Sequence, residues 1–244
     1  MLRRSETATR PVRGMPFARF VGDLSRKQIM LMTTAGVVPR LKEFQEPEHG
    51  YYLLDGDIQV DDLYVPRRHF QVEDVEEDLN CLFPIDRLRE LSAEGVIKSP
   101  TEKHIAVYGF HLIIGHIRRN VAPLIAEEVE AADADAVIVL SGCVFCHRIA
   151  AIIQKTVEDR GIPTVAVSHY PRLSAFYGVS RILHPVGFRP GHAVGLPNHP
   201  EMQRQVLLDA LELLQTATEP VTLVEKHYDG YPEFVPRWRR GMRN

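Results

Sequence analysis

The stretch Ala134-Asp135-Ala136-Val137-Ile138-Val139-Leu140-Ser141-Gly142-Cys143-Val144-Phe145-Cys146-His147-Arg148-Ile149-Ala150-Ala151 decides the fold. Its apolar run, Ala136 to Leu140, is short, uninterrupted and mostly β-branched. Such a run reads as a strand buried on both faces. It stops at Ser141-Gly142, two cysteines follow, and a helical pattern begins with Ile149, Ala150, Ile153 and Val157 on one face. The Cys-x-x-Cys therefore falls where a parallel strand hands over to a helix, the edge at which open α/β sheets place their ligands. A helix N-terminus carries partial positive charge and N–H groups without intrahelical partners, and so favours a thiolate.

Outward from this unit, strands and helices alternate. Gln28 to Met32 is a first strand ending in the small, hydroxyl-bearing Thr33-Thr34-Ala35-Gly36 loop. That loop reads either as a ligand-facing surface or as a plain turn. Phe83 to Leu91 opens a helix, with Pro84 in its first turn and Gly95 ending it. His104 to Phe110 reads as a strand, Val121 to Ala131 as a helix capped by Asn120, and Arg148 to Asp159 as the helix after the cysteines. Pro163 to Ser168 and Ser180 to Leu183 are further strands, Pro200 to Thr216 is the last helix, and Val221 to Val224 is an edge strand. The fold class expected is α/β: a mainly parallel sheet with helices on both faces, Rossmann-like in its layering, with a long irregular segment (40 to 80) between the first strand and the rest. Thr33-Thr34, His111, Cys143 and Ser168-His169 would share one rim. The expected division is a disordered basic tail over 1–14, one α/β domain over 15–225 and an aromatic, basic tail over 226–244.

Composition narrows the function classes. The 244 residues carry a net charge of -3 with both signs interspersed, which gives no nucleic-acid footprint. No apolar stretch approaches the roughly 20 residues needed to span a bilayer, and no signal-peptide pattern opens the chain. Three cysteines, two of them in one Cys-x-x-Cys, do not form a secreted disulfide framework, so a cytoplasmic location is expected.

Three readings of the pair stay open on residues alone. Cys143 is a redox nucleophile that Cys146 resolves as a disulfide; or the pair binds metal together with histidines; or two small residues fill a tight turn. No second Cys-x-x-Cys and no His-x-x-His accompanies it, so no metal ligands are assigned. His147 and His184 are candidate proton donors. Thr33, Thr34, His69, Ser141 and Gly142 are candidates for holding substrate. Arg87 either pairs with a substrate carboxylate or locks its own helix to Asp78 or Asp86. Cys81, among apolar residues, reads as a small core residue. No Gly-x-Gly-x-x-Gly or P-loop pattern is present, so the chain itself carries no expected cofactor.

Several segments together resemble a known family. They are Thr33-Thr34-Ala35-Gly36-Val37, Asp78-Leu79-Asn80-Cys81-Leu82-Phe83-Pro84-Ile85-Asp86-Arg87-Leu88-Arg89-Glu90-Leu91, Glu94-Gly95-Val96-Ile97, Cys143-Val144-Phe145-Cys146, Gly161-Ile162-Pro163-Thr164-Val165 and His184-Pro185-Val186-Gly187. They are similar to the selenoprotein B family of the glycine, sarcosine, betaine and D-proline reductases. The resemblance implies an oxidoreductase of amino-acid metabolism that cleaves a carbon–nitrogen bond next to a carboxylate. It implies a nucleophile at Cys143, where the family commonly has selenocysteine, and a resolving thiol at Cys146. It also implies a pyruvoyl group supplied by a partner subunit and a thiol electron donor; a homo-oligomer is expected. The chain departs from the family in having cysteine at 143 and Val144-Phe145 between the pair. Only His69 stands in a usually His-rich segment, where Val72 replaces another histidine. A desulfidase acting on a thiocarbonyl compound through a Cys143 persulfide, and a non-catalytic binding subunit of a larger complex, are the alternatives. A two-cysteine racemase is disfavoured because both thiols lie in one turn.

Overall fold

The structure, a computed structural model, describes residues 14–40, 46–66, 70, 72–108 and 113–232. In chain order the strands are β1 (Gln28–Thr33), β2 (Val38–Pro39), β3 (Tyr51–Asp55), β4 (Leu63–Tyr64), β5 (Ser99–Pro100), β6 (Lys103–Val107), β7 (Ala136–Leu140), β8 (Thr164–Val167), β9 (Arg181–Pro185) and β10 (Thr222–Lys226). The helices are α1 (Glu73–Glu77), α2 (Ile85–Ala93), α3 (Ile114–His116), α4 (Ala122–Ala131), α5 (Val144–Asp159), α6 (Pro171–Phe176) and α7 (Pro200–Thr216). A π-helical stretch, Ile117–Val121, joins α3 to α4.

Among the described residues the main sheet runs β10-β9-β8-β7-β1-β6-β3, with β5 also pairing β1. Every pairing in it is parallel except that of β3 with β6. The mainly parallel α/β sheet expected from the sequence is therefore present. The long segment after the first strand is less irregular than its composition implies: Tyr51–Asp55 adds an antiparallel edge strand. Its Tyr51-Tyr52-Leu53-Leu54 run shows no apolar/polar alternation, and only Tyr51 and Leu54 are buried, because an edge strand packs only part of its surface.

β1 and β7 show why the sheet is buried on both sides. Successive side chains of a strand point to opposite faces. Ile29 and Leu31 of β1, with Ile138 and Leu140 of β7, join the core under α2 and α7. Met30, Met32, Val137 and Val139 join the core under α4 and α5. Asp135 sets the start of this pair: its carboxylate accepts from the Gln28 N–H at 2.7 Å and from Lys27 Nζ at 2.9 Å. The register then pairs Ile29 with Ala136 and Thr33 with Leu140. Both strands end level, and the chain reverses its direction across the sheet here, since β6 and β7 lie on opposite sides of β1. That is the crevice at which such sheets bind ligands.

Several element ends differ from the sequence reading. α5 starts at Val144, not Arg148, because the intrahelical bonds begin directly after Cys143. Asn120 is no N-cap; it lies inside the continuous helix, where its Nδ2 meets His116 Nδ1 at 2.8 Å. Lys226 lies in β10, and Tyr228 and Tyr231 pack on the core of their own chain. His69, Phe110 and His111, and all of the two tails except Gly14 and residues 226–232, lie outside the described residues. Among the described residues no helix is long and apolar enough to cross a membrane.

A candidate thiol site at the carboxyl rim of the sheet

The site is built on the three residues between β7 and α5, Ser141, Gly142 and Cys143. Gly142 is required by space: a Cβ there would stand 2.6 Å from Phe70 Cε1 and 2.9 Å from Ala35 Cβ. This close approach draws the loop after β1 against the loop after β7. Thr34 ties them together. Its N–H donates to Leu140 O at 3.0 Å, and its Oγ1 lies 3.1 Å from both Cys146 O and Ser141 Oγ. The carbonyl can only accept, so the Thr34 proton goes to Cys146 O, and Ser141 donates to Thr34. Thr33 Oγ1 accepts from the Ala35 N–H at 3.1 Å. Thr33, Thr34 and Ser141 are buried, and their hydroxyls brace the turn internally.

Cys143 occupies the N-cap position of α5 and Cys146 its first turn. The two sulfurs lie 2.7 Å apart without a disulfide, 9% and 4% exposed respectively. The contact with Cys143 comes first, and burial second, in raising the Cys146 thiol; N–H groups of Cys143 and Gly142 oppose the rise. Cys146 is thus the member of the pair that keeps its proton, directed at the Cys143 sulfur. Between them the chain exposes two apolar side chains, Val144 (41%) and Phe145 (52%).

Histidines ring this pair on the side of β8 and β9. His147 Nδ1 lies 2.6 Å from Cys143 O, and His147 Nε2 accepts from the His169 N–H at 3.2 Å. This assigns the proton to Nδ1, where it is given to the Cys143 carbonyl. Burial pushes His147 down to about 4, so its ring is neutral at pH 7. Both nitrogens are engaged, and in this tautomer the ring has no proton for the sulfurs. His169 Nε2 lies 3.1 Å from His192 O, while His192 Nε2 lies 2.8 Å from Asp74 Oδ2. His184 Nδ1 lies 2.8 Å from Ser168 O, and burial holds it below its usual value as well. Its proton therefore also points to a carbonyl.

Tyr170 is the residue at this rim that sequence reasoning passed over. Its ring stands perpendicular to the His147 imidazole at 5.0 Å, and its N–H donates to Ser168 Oγ at 3.1 Å. Burial first, then the charge on Cys143 and on Cys146, raises its phenol. The available signal was its position in Ser168-His169-Tyr170, directly after the strand that reaches this rim.

Thr34, Ser141, Gly142, Cys143, Cys146 and His147 are thus brought together. Arg87 is engaged elsewhere: its Nη1 donates to Gln203 Oε1 at 3.2 Å and its Nη2 to Glu90 Oε1 at 2.5 Å. Gln203 in turn donates to Asp78 Oδ2 at 2.7 Å, so Arg87 locks α2 to α7 and, through Gln203, to Asp78. Asn80 completes this framework by bonding Asp86 through both side-chain ends, 2.9 and 3.2 Å. Cys81 is fully buried, and burial raises its thiol, as befits a core residue. Among the described residues no group of three or more His, Cys, Asp or Glu side chains is arranged to hold a metal ion.

A pair of thiols closing the turn from a buried parallel strand into a helix, at a sheet's switch point, defines an α/β protein with a rim dithiol. The chain belongs to the glycine/sarcosine/betaine reductase selenoprotein B family, whose model matches residues 4–142. That match ends directly before Cys143. The chain is 32% identical to D-proline reductase subunit gamma of Acetoanaerobium sticklandii over 79% of its own length and 80% of that protein's. It is 30% identical to glycine reductase complex component B subunit gamma of Symbiobacterium thermophilum, and 25% identical to sarcosine reductase complex component B subunit beta of Peptoclostridium acidaminophilum. Each of these two matches covers 84% of this chain but only about half of the relative. No solved structure matches.

Proposed function

We propose that the protein is the thiol-bearing subunit of a reductase complex that cleaves a carbon–heteroatom bond of a small carboxylate. The observation that carries this reading is the Cys143–Cys146 pair, with sulfurs 2.7 Å apart on the rim of the sheet. The Cys143 sulfur, as thiolate, displaces the heteroatom from carbon: an S–C bond forms, and the C–N bond breaks with its electron pair on nitrogen. Cys146 then attacks the Cys143 sulfur. The carbon leaves with the S–C electron pair and takes the proton that Cys146 gives up. Two thiols become one disulfide, and the C–N bond becomes C–H and N–H. A dithiol donor resets the pair.

Two features support a partner-completed site. Val144 and Phe145 present apolar surface between the cysteines, and the relatives are named as subunits of reductases or their complexes. An electrophilic pyruvoyl group on a partner, where present, would supply electron withdrawal from the substrate amine. The open, apolar turn is compatible with a group presented from outside. In this chain Cys143 and Cys146 carry the redox chemistry, Thr34 and Ser141 hold their turn, and His147 fixes the Cys143 carbonyl. The hydroxyls of Thr33 and Thr34 and the guanidinium of Arg87 act in this reading as framework, so the substrate carboxylate is held by groups other than these.

The test is an anaerobic assay with a dithiol, the co-purified partner subunits and a panel of α-amino acids and thioureido compounds. Amine release that disappears in Cys143→Ser supports the reductase. Sulfide release from the thioureido compounds would replace it with the desulfidase, and full turnover by Cys143→Ser would remove any thiol mechanism.

A further inference from the structure

A thiolate displacing a nitrogen or a sulfur needs a proton for the departing atom. Proton transfer from a positioned side chain commonly accelerates such steps by about 10²–10⁴. Of the groups around the pair, His147 donates its one ring proton to Cys143 O, and His184 points its proton at Ser168 O. His169 directs Nε2 to His192 O and leaves Nδ1, enclosed, without a partner among the described residues. Cys146 needs its own proton for the second step. Among the described residues around the pair, one protonated group is left over, Tyr170.

We propose that Tyr170 is the proton donor to the atom that Cys143 displaces. Its ring packs edge-on against His147, the residue bound to the Cys143 carbonyl, and so stands on the rim that carries the reacting sulfur, near enough for charge on that sulfur to act on its phenol. Its backbone is pinned through Ser168 Oγ, which itself lies 2.8 Å from Ser174 Oγ. The hydroxyl has no hydrogen-bond partner among the described residues and is half-buried, open to an incoming group. Burial and the nearby sulfur charge keep the phenol protonated until a strongly basic leaving atom arrives. In the step itself the Tyr170 O–H bond breaks, the proton goes to the departing atom that has taken the electron pair, and solvent later reprotonates the phenolate. The proposal rests on Cys143 as the attacking thiol.

Two disulfides test it with the full-length chain and no substrate. An aryl disulfide expels a weakly basic thiolate that needs no proton, whereas bis(2-hydroxyethyl) disulfide expels a strongly basic one. Tyr170→Phe should slow the attack of Cys143 on the alkyl disulfide by about tenfold or more. It should leave the aryl reaction within about twofold and abolish the solvent deuterium isotope effect on the alkyl reaction. Equal slowing of both reactions, or of neither, overturns the role of Tyr170. Should Tyr170→Phe alter the urea midpoint, Tyr170→Trp, which has no O–H, must show the same selective loss for the proposal to stand. Cys143→Ser reports separately on the underlying reading: it should abolish both reactions, and if it does not, the thiol mechanism fails whatever Tyr170→Phe does.

Discussion

Replacing Arg181 by methionine removes one half of an ion pair that has no contact with solvent. Arg181 Nη1 lies 3.0 Å from Glu158 Oε1, and both side chains are fully buried. Nη2 donates to Ala18 O at 2.6 Å, and the guanidinium stands 4.2 Å from the Phe17 ring centroid. The Glu158 carboxylate also accepts from the Thr164 N–H (2.7 Å), Thr164 Oγ1 (2.9 Å) and the Ala18 N–H (2.5 Å). The pair therefore fastens the segment before β1 to α5, β8 and β9. Leaving the carboxylate buried with three neutral donors but no cation should cost about 3–5 kcal/mol. For a domain of this size that lowers Tm by roughly 6–20 °C, at about 2–4 °C per kcal/mol. Burial already raises Glu158 despite Arg181, and loss of the guanidinium raises it further. An acid with a raised folded pKa binds its proton more tightly when folded, so its stabilising effect is present at low pH and lost as pH rises through that value. The deficit of Arg181→Met should thus be smaller near pH 5 than at pH 8. Glu158→Gln with Arg181→Met together should recover most of the loss. Urea midpoints and thermal scans of the two variants and the parent protein measure all of this. A loss under about 1 kcal/mol, or a deficit independent of pH, refutes the account of a charged buried pair.

Gly142→Ala should destabilise by about 1–3 kcal/mol through the clash with Phe70 and Ala35, and Phe70→Leu in the same chain should recover part of it, read by urea midpoints. Thr34→Val removes the hydrogen bonds that Thr34 Oγ1 makes with Cys146 O and Ser141 Oγ; a loss of about 1–3 kcal/mol is expected, with a changed Cys143 alkylation rate. His147, ordinarily near 6.5 and about 4 when folded, binds fewer protons folded than unfolded. Its contribution is complete above about pH 6.5 and is lost as pH falls toward 4, by up to about 3 kcal/mol. In His147→Asn the urea midpoint should therefore fall less steeply over that window.

The layout was legible because short uninterrupted apolar runs and helix punctuation are local signals. Ala136–Leu140 needs no neighbour to be recognised as a core strand, and Pro200–Thr216 carries its own start and apolar stripe. Tyr51–Asp55 was hidden because an edge strand buries little and its residues alternate only weakly. Arg87 shows the limit at the site. Its sequence is equally compatible with a substrate carboxylate and with a structural tie, and only the placement of Gln203 on α7 decides between them. His147 shows another: the cysteine pair marks it, but which ring nitrogen holds the proton depends on the Cys143 carbonyl and the His169 N–H.

By itself the sequence determined that a dithiol caps a helix after a buried parallel strand, and that the surrounding segments match one reductase family. Adjacent residues impose both. The tertiary structure alone decided that the loop carrying the two sulfurs is held by Thr34 and Gly142, and that Tyr170 reaches this rim from the next strand's end. The reason is that hydrogen bonds and contacts across more than twenty residues depend on how strands register, and a linear pattern encodes register only through the folded sheet.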